Sequence, residues 1–176
     1  MLETLISSKT RIKILLKFFL NDNLTSYLRG LEEELGESTN SIRLELNRFE
    51  KAGFLQSFIK GNKKLFKVNN AHPLFLEINS IVRKMVGLDY VADYILQRIG
   101  KLEKVYLIGK LATGLDSEVI DLVLVGDINI PYLVELIGKA EKKLDKKIKF
   151  IVYTEAEFSL EKIKESDTHP LLIWSK

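Results

Sequence analysis

Glycine and asparagine cut the first 70 residues into short pieces, which limits them to small helices and one hairpin. A helical apolar spacing follows Ser7-Ser8, with Ile12, Leu15, Leu16 and Phe19 on one face. Asn21-Asp22-Asn23 stops it. A second helix is predicted after Thr25-Ser26, with Leu28, Leu31 and Leu35 inward and Glu32-Glu33-Glu34 towards solvent. Gly36 supplies a left-handed residue for a sharp turn. Ser38 reads as the N-cap of a third helix over 39–52, with Ile42, Leu46 and Phe49 inward and Gly53 at its end. Two alternating runs, 54–59 and 64–68, flank Lys60-Gly61-Asn62-Lys63, and a Gly-Asn pair in that setting signals a hairpin.

Composition narrows the classes. The 176 residues are 46% hydrophobic and 29% charged, with three prolines, enough for one medium domain or two small ones with their own core. With no cysteine, structural zinc ribbons, thiol catalysis and disulfide scaffolds are excluded. His72 and His169 are too few for a histidine-rich metal site. The stretch 12–20 is interrupted by Lys13 and Lys17 and lacks a cleavage pattern, and no apolar run reaches the roughly 20 residues of a membrane span. The expectation is a soluble, cytoplasmic protein with no membrane partner.

Charge is uneven. The chain has 27 Lys and Arg against 24 Asp and Glu, net +3. Residues 1–70 hold 12 against 8, and residues 71–176 hold 15 against 16. The positive excess therefore lies in the first part, where a polyanion would bind, although +4 over 70 residues is also ordinary surface chemistry.

Helix, helix, turn, helix and hairpin over residues 9–68 resemble the winged helix-turn-helix DNA-binding domains. The resemblance is carried by Tyr27 to Gly36 as helix and turn, and by Ser38 to Leu55 as recognition helix and start of the wing, with Ala52-Gly53 before the apolar pair Phe54-Leu55. It implies that the third helix enters the major groove of duplex DNA. Its outward face offers Thr39, Asn40, Ser41, Arg43, Leu44 and Asn47. Arg43 with Asn40 or Asn47 would read bases, since arginine matches guanine and asparagine adenine bidentately, and Leu44 would meet a thymine methyl. Lys60, Asn62, Lys63 and Lys64 on the wing, with Tyr27 and Arg29 on the second helix, would touch phosphate or the minor groove. The same residues also suit a solvated helix face and a solubilising turn, and such domains also serve as protein-interaction modules.

Asn69 to His72 reads as a linker, with His72 a capping or surface residue. Pro73 suits the first turn of a helix whose apolar face is Leu74, Phe75, Ile78, Val82 and Met85, ended by Gly87. Another helix is expected over 89–99. This pair forms a domain bridge, a dimer seam or ordinary internal packing.

From Lys101 the pattern alternates: strands at 105–108, 119–125 and 148–153, helices from Pro131 and over 155–164, and a final strand at 171–174. Residues 105–125 resemble the core of the nucleotidyltransferase superfamily. Those enzymes place a Gly-Ser or Gly-Gly turn after one strand and Asp-x-Asp on the next, so that two carboxylates on one strand face share metal ions around a triphosphate. Here Gly109 is followed by Lys110, Val119 takes the first Asp position, Asp121 alone remains, and the third strand offers Lys149. The resemblance thus implies the fold without the reaction: no enzyme and no cofactor. Gly109, Lys110, Gly114 and Asp121 remain candidates for holding the phosphate of a nucleotide effector, against the simpler reading of a packing turn. No P-loop, dinucleotide fingerprint or Ser-His arrangement is present.

The sequence reading is an α+β chain with a winged helix-turn-helix (1–70), a helical linker or dimerisation segment (71–100) and a small mixed-sheet α/β nucleotidyltransferase-like domain (101–176). The expected function is a homodimeric DNA-binding transcriptional regulator whose last domain serves oligomerisation or effector binding. An active nucleotidyltransferase and an adaptor that partners a transferase are the alternatives.

Overall fold

The computed structural model describes residues 4–96, 99–166 and 169–176. It is a mixed α+β chain with two sheets and two compact units: Met1–Met85 with Gly114–Asp116, and Val86–Thr113 with Ser117–Lys176. Among the described residues no helix is long and apolar enough to cross a membrane.

The first unit begins with α1 (Lys9–Phe19), capped by Ser8, whose Oγ accepts from the Arg11 amide. The predicted single stripe is too narrow. From Ile14 to Phe19 every side chain is buried, whereas Ile12 is only half-buried. A helix surrounded by its neighbours is apolar on several sides. Lys17, 4% exposed, is accommodated by an ion pair with Glu34 at 2.6 Å.

Ser26-Tyr27, expected to lead into a helix, instead form β1, which pairs with β3 (Lys63–Val68) through Ser26↔Phe66 and Tyr27↔Leu65. α2 then runs Leu28–Leu35 with Leu31 and Leu35 buried, and Gly36 takes φ 61°, as expected of a left-handed cap. α3 spans Thr39–Lys51, its Ser38 cap accepting from the Ser41 amide. The hairpin of β2 (Leu55–Lys60) and β3 closes from Lys60↔Lys63 through Gly61-Asn62, with Gly61 at φ 62° leading the turn. The sheet order is β1-β3-β2.

α4 (Phe75–Val86) starts two residues after Pro73, which lies in the preceding turn. Its Phe75 ring stacks on Phe19 at 6.0 Å, and Asn79 Nδ2 donates to the Phe19 carbonyl. His72 Nδ1 accepts from the Leu74 amide, so the residue caps this turn.

The second unit opens with α5 (Leu88–Val91), which passes into a π-helical turn, Ala92–Leu96, in place of one regular helix over 89–99. Residues 97 and 98 of that expected helix lie outside the described residues. Its sheet has the order β6-β5-β4-β7, from β4 (Gly100–Ile108), β5 (Val119–Ile128), β6 (Lys147–Tyr153) and β7 (Leu171–Ser175). β4 is antiparallel to β5 and β7, while β5 and β6 are parallel, joined by the crossover helix α7 (Ile130–Leu144). Leu133, Leu136, Ile137 and Ala140 of α7 are buried. Tyr106, Val123, Val125 and Ile163 form a cluster with Ile108, Tyr153 and Phe158, Ile163 coming from α8 (Leu160–Ser166).

That last helix starts later than the predicted 155. Glu157 instead folds back to accept from the Thr154 amide and hydroxyl, holding 155–157 as a turn. β4 and β5 are also longer than predicted, because Gly100-Lys101 pair with Asp127-Ile128 beyond a bulge at Leu102/Lys104.

Candidate nucleic-acid interface

Ile42, Leu46 and Phe49 fix the rotation of α3 by turning into the core, which leaves Asn40, Arg43, Leu44 and Asn47 exposed on its other side. Thr39 and Ser41 are half-buried at its first turn. Ser41 is engaged in capping, its hydroxyl accepting from Ser38 Oγ at 2.8 Å. Leu44 is 51% exposed, an apolar group facing water in the middle of this face.

The anchor of α3 is a residue the sequence reading missed. Glu45 is only 3% exposed and accepts from Arg11 Nε at 2.8 Å, Arg48 at 3.0 Å and Ser8 Oγ at 3.1 Å. Burial pushes this carboxyl up, but the bonds from Arg11 and Ser8 and the nearby guanidinium charges outweigh it, and the group titrates below the ordinary range. The Arg11 guanidinium is raised in return, chiefly by its hydrogen bond to Glu45. The signal was legible: position 45 follows Ile42 by three and precedes Phe49 by four, on the inward stripe.

Between α3 and the hairpin lies a groove of about 630 Å³. It brings together seven of the predicted residues, Tyr27, Arg29, Arg43, Asn47, Asn62, Lys63 and Lys64, over a floor of Leu28, Leu46 and Phe66. Thr39, Asn40, Ser41, Leu44 and Lys60 lie outside its lining. Four of the lining side chains are cationic and none is a carboxylate, so the lining itself carries charge of one sign, with Lys64 offset by Glu50 outside it.

The two wing lysines have different settings. Lys63 Nζ sits 4.0 Å above the Tyr27 ring, an arrangement that fixes the ammonium and leaves its charge unneutralised. Lys64 Nζ is 2.8 Å from Glu50 Oε2 on α3, and Ser57 Oγ also donates to Glu50. The hydrogen bonds from Lys64 and then Ser57 hold the Glu50 carboxyl below the usual range.

The second unit places Asp121 on β5, in register with Ile108 on β4 and Lys149 on β6. A shallow pocket of about 460 Å³ is lined by these three with Leu122, Ile148, Phe150 and Ile151. Gly109, at φ 72°, starts the short α6 (Gly109–Ala112), and a Cβ there would lie 2.7 Å from Asp121 Oδ2. Lys110 is exposed and, like Gly109 and Gly114, does not line this pocket. Among the described residues no three His, Asp or Glu side chains converge to hold a metal ion.

No family model matches the sequence, and no curated protein matches it. Among solved structures, a mutant of the toxin–antitoxin MntA–HpeT aligns at 19% identity over 50% of this chain and 72% of that one, with a TM-score of 0.40. A proposed nucleotidyltransferase from Sulfolobus solfataricus aligns at 22% identity over 56% of this chain and 86% of its own, with a TM-score of 0.37. Likeness at that level carries no functional argument, and the chemistry has to be read from the residues.

Proposed function

We propose that the first unit is a winged helix-turn-helix that binds duplex DNA, and that the chain acts as a homodimeric, cytoplasmic transcriptional regulator. The observation that carries this reading is the groove of one charge sign, framed by the exposed face of α3 and by the hairpin. A duplex offers phosphates along its edge and hydrogen-bonding base edges in its major groove. With α3 in the major groove, Arg43 and Asn47 reach base edges, Leu44 meets a thymine methyl, and Arg29, Asn62 and Lys63 grip phosphate. Glu45 fixes the rotation of α3 through Arg11 on α1.

The second unit, in this reading, is nucleotidyltransferase-like without the transfer reaction. Two-metal phosphoryl chemistry needs carboxylates paired on a strand face. Val119 stands two residues before Asp121, and the parallel neighbour in register is the cation Lys149. The unit is left with oligomerisation or effector binding.

Repeated selection from a randomised duplex pool tests the first part: enrichment of a motif, altered by Arg43→Ala, is expected, and a pool that stays random after several rounds contradicts it. Incubation with Mg²⁺ and labelled nucleoside triphosphates tests the second. No labelled product is expected, whereas transfer abolished by Asp121→Ala would restore the enzyme reading.

A further inference from the structure

Helix α4 turns apolar side chains outward as well as inward, Leu76 standing 74% exposed apart from the other outward ones. The sequence reading grouped Leu74, Phe75, Ile78, Val82 and Met85 as one face, but the structure separates them. Phe75 and Val82 are 9% and 0% exposed, turned into the protein. Leu74, whose carbonyl already accepts from the Ile78 amide, is 50% exposed, and Ile81 is 49% exposed, with Ile78 and Met85 half-buried. Residues 74, 78, 81 and 85 are spaced four, three and four apart, the seam spacing of paired helices. Exposed Glu77 and Lys84 flank that seam on one side, a heptad apart.

We infer that this seam joins two copies of the chain through antiparallel α4 helices. In that register Leu74 packs on Met85 of the second copy and Ile78 on its Ile81. The same register brings Glu77 of each copy beside Lys84 of the other, because antiparallel helices pair equivalent flanking positions while parallel ones pair opposite flanks. A parallel arrangement would set Glu77 and Lys84 against positions 75 and 82, whose side chains are already buried in their own chain. The contact is isologous, the self-complementary form that closes a two-fold dimer. This inference rests on the homodimer of the reading above, places its surface on the first unit and leaves effector binding to the second.

Sedimentation equilibrium of the full chain without DNA, up to about 200 µM, tests it, while DNA binding is read separately, so failure of one leaves the other standing. A monomer–dimer equilibrium is expected. Ile81→Glu should leave the circular dichroism unchanged and abolish the dimer. Glu77→Lys or Lys84→Glu alone should weaken it roughly five- to tenfold by setting like charges opposite one another at both symmetric contacts, and the double swap should restore it. A monomer at every concentration, a dimer indifferent to Ile81→Glu, or a double swap as weak as either single change would overturn the proposal.

Discussion

Each of the two units holds a concave site, and the two sites differ in charge logic. The groove of the first unit gathers Arg29, Arg43, Lys63 and Lys64 with no carboxylate in its lining, whereas the pocket of the second sets a single acid, Asp121, in register with a base, Lys149. Like charges crowded together repel one another, and a surface that keeps them suits an opposite polyion. A single acid in register with a base lacks the second carboxylate that a two-metal clamp uses. In the proposed reading, unbalanced charge, more than cavity shape, is what distinguishes the two sites.

The largest expected effect breaks the framework of the first unit. Glu45→Ala should lower its stability by roughly 3 kcal/mol, the low end for breaking a buried pair because Arg11 and Arg48 keep contact with water. Trp174, the single tryptophan, lies on β7, so its fluorescence follows the second unit and should keep its transition while circular dichroism shows the first unit melting earlier. Arg43→Ala should cost about 1–3 kcal/mol of affinity for a selected site and relax preference at one base position, measured by competition binding. In the second unit, Gly109→Ala should destabilise by about 1–2 kcal/mol, since it combines positive φ with a methyl against Asp121, and here Trp174 should report the change.

Acid should weaken both units, since Glu141 and Glu157 of the second are also held low, by hydrogen bonds from the Ile148 amide and from Thr154, although these two are exposed. Glu45 and Glu50 are held below their ordinary values in the fold by the bonds described, and Glu37 chiefly by its hydrogen bond from Lys13. Their contribution is complete above the unfolded carboxyl value of about 4.3 and is lost as pH falls through the lowered folded values. Thermal melts from pH 6 to 3 should show this loss in the first unit, and Glu45→Gln should flatten its slope. The smallest effect is expected at the wing. Lys63→Ala should reduce the salt dependence of DNA binding by about 0.9 in log–log slope, and Lys64→Ala by less because Glu50 already neutralises it.

Local signals were legible where one residue type decides the geometry. Ser38 caps α3, Gly36 turns left-handed, and Gly61-Asn62 closes the hairpin. The groove residues were readable because the inward positions of α3 define its outward ones. What escaped depends on tertiary pairing: β1 exists only because Ser26-Tyr27 meet β3, and the burial of Lys17 and Glu45 depends on Glu34 and Arg11 from other helices. The division of α4 into two apolar faces was likewise invisible until Phe75 was placed on Phe19. Lys110 and Gly114 looked close to Asp121 along the chain, yet neither lines its pocket.

The most direct test of the central claim is fluorescence anisotropy of a randomised duplex titrated with the full chain at several salt concentrations. Arg29 and Lys63, the cationic phosphate contacts of the groove, in each of two copies predict affinity that falls with salt at a log–log slope of about −3.6. Binding that ignores salt, or none at low salt, would contradict the account and leave the first unit a protein-interaction module.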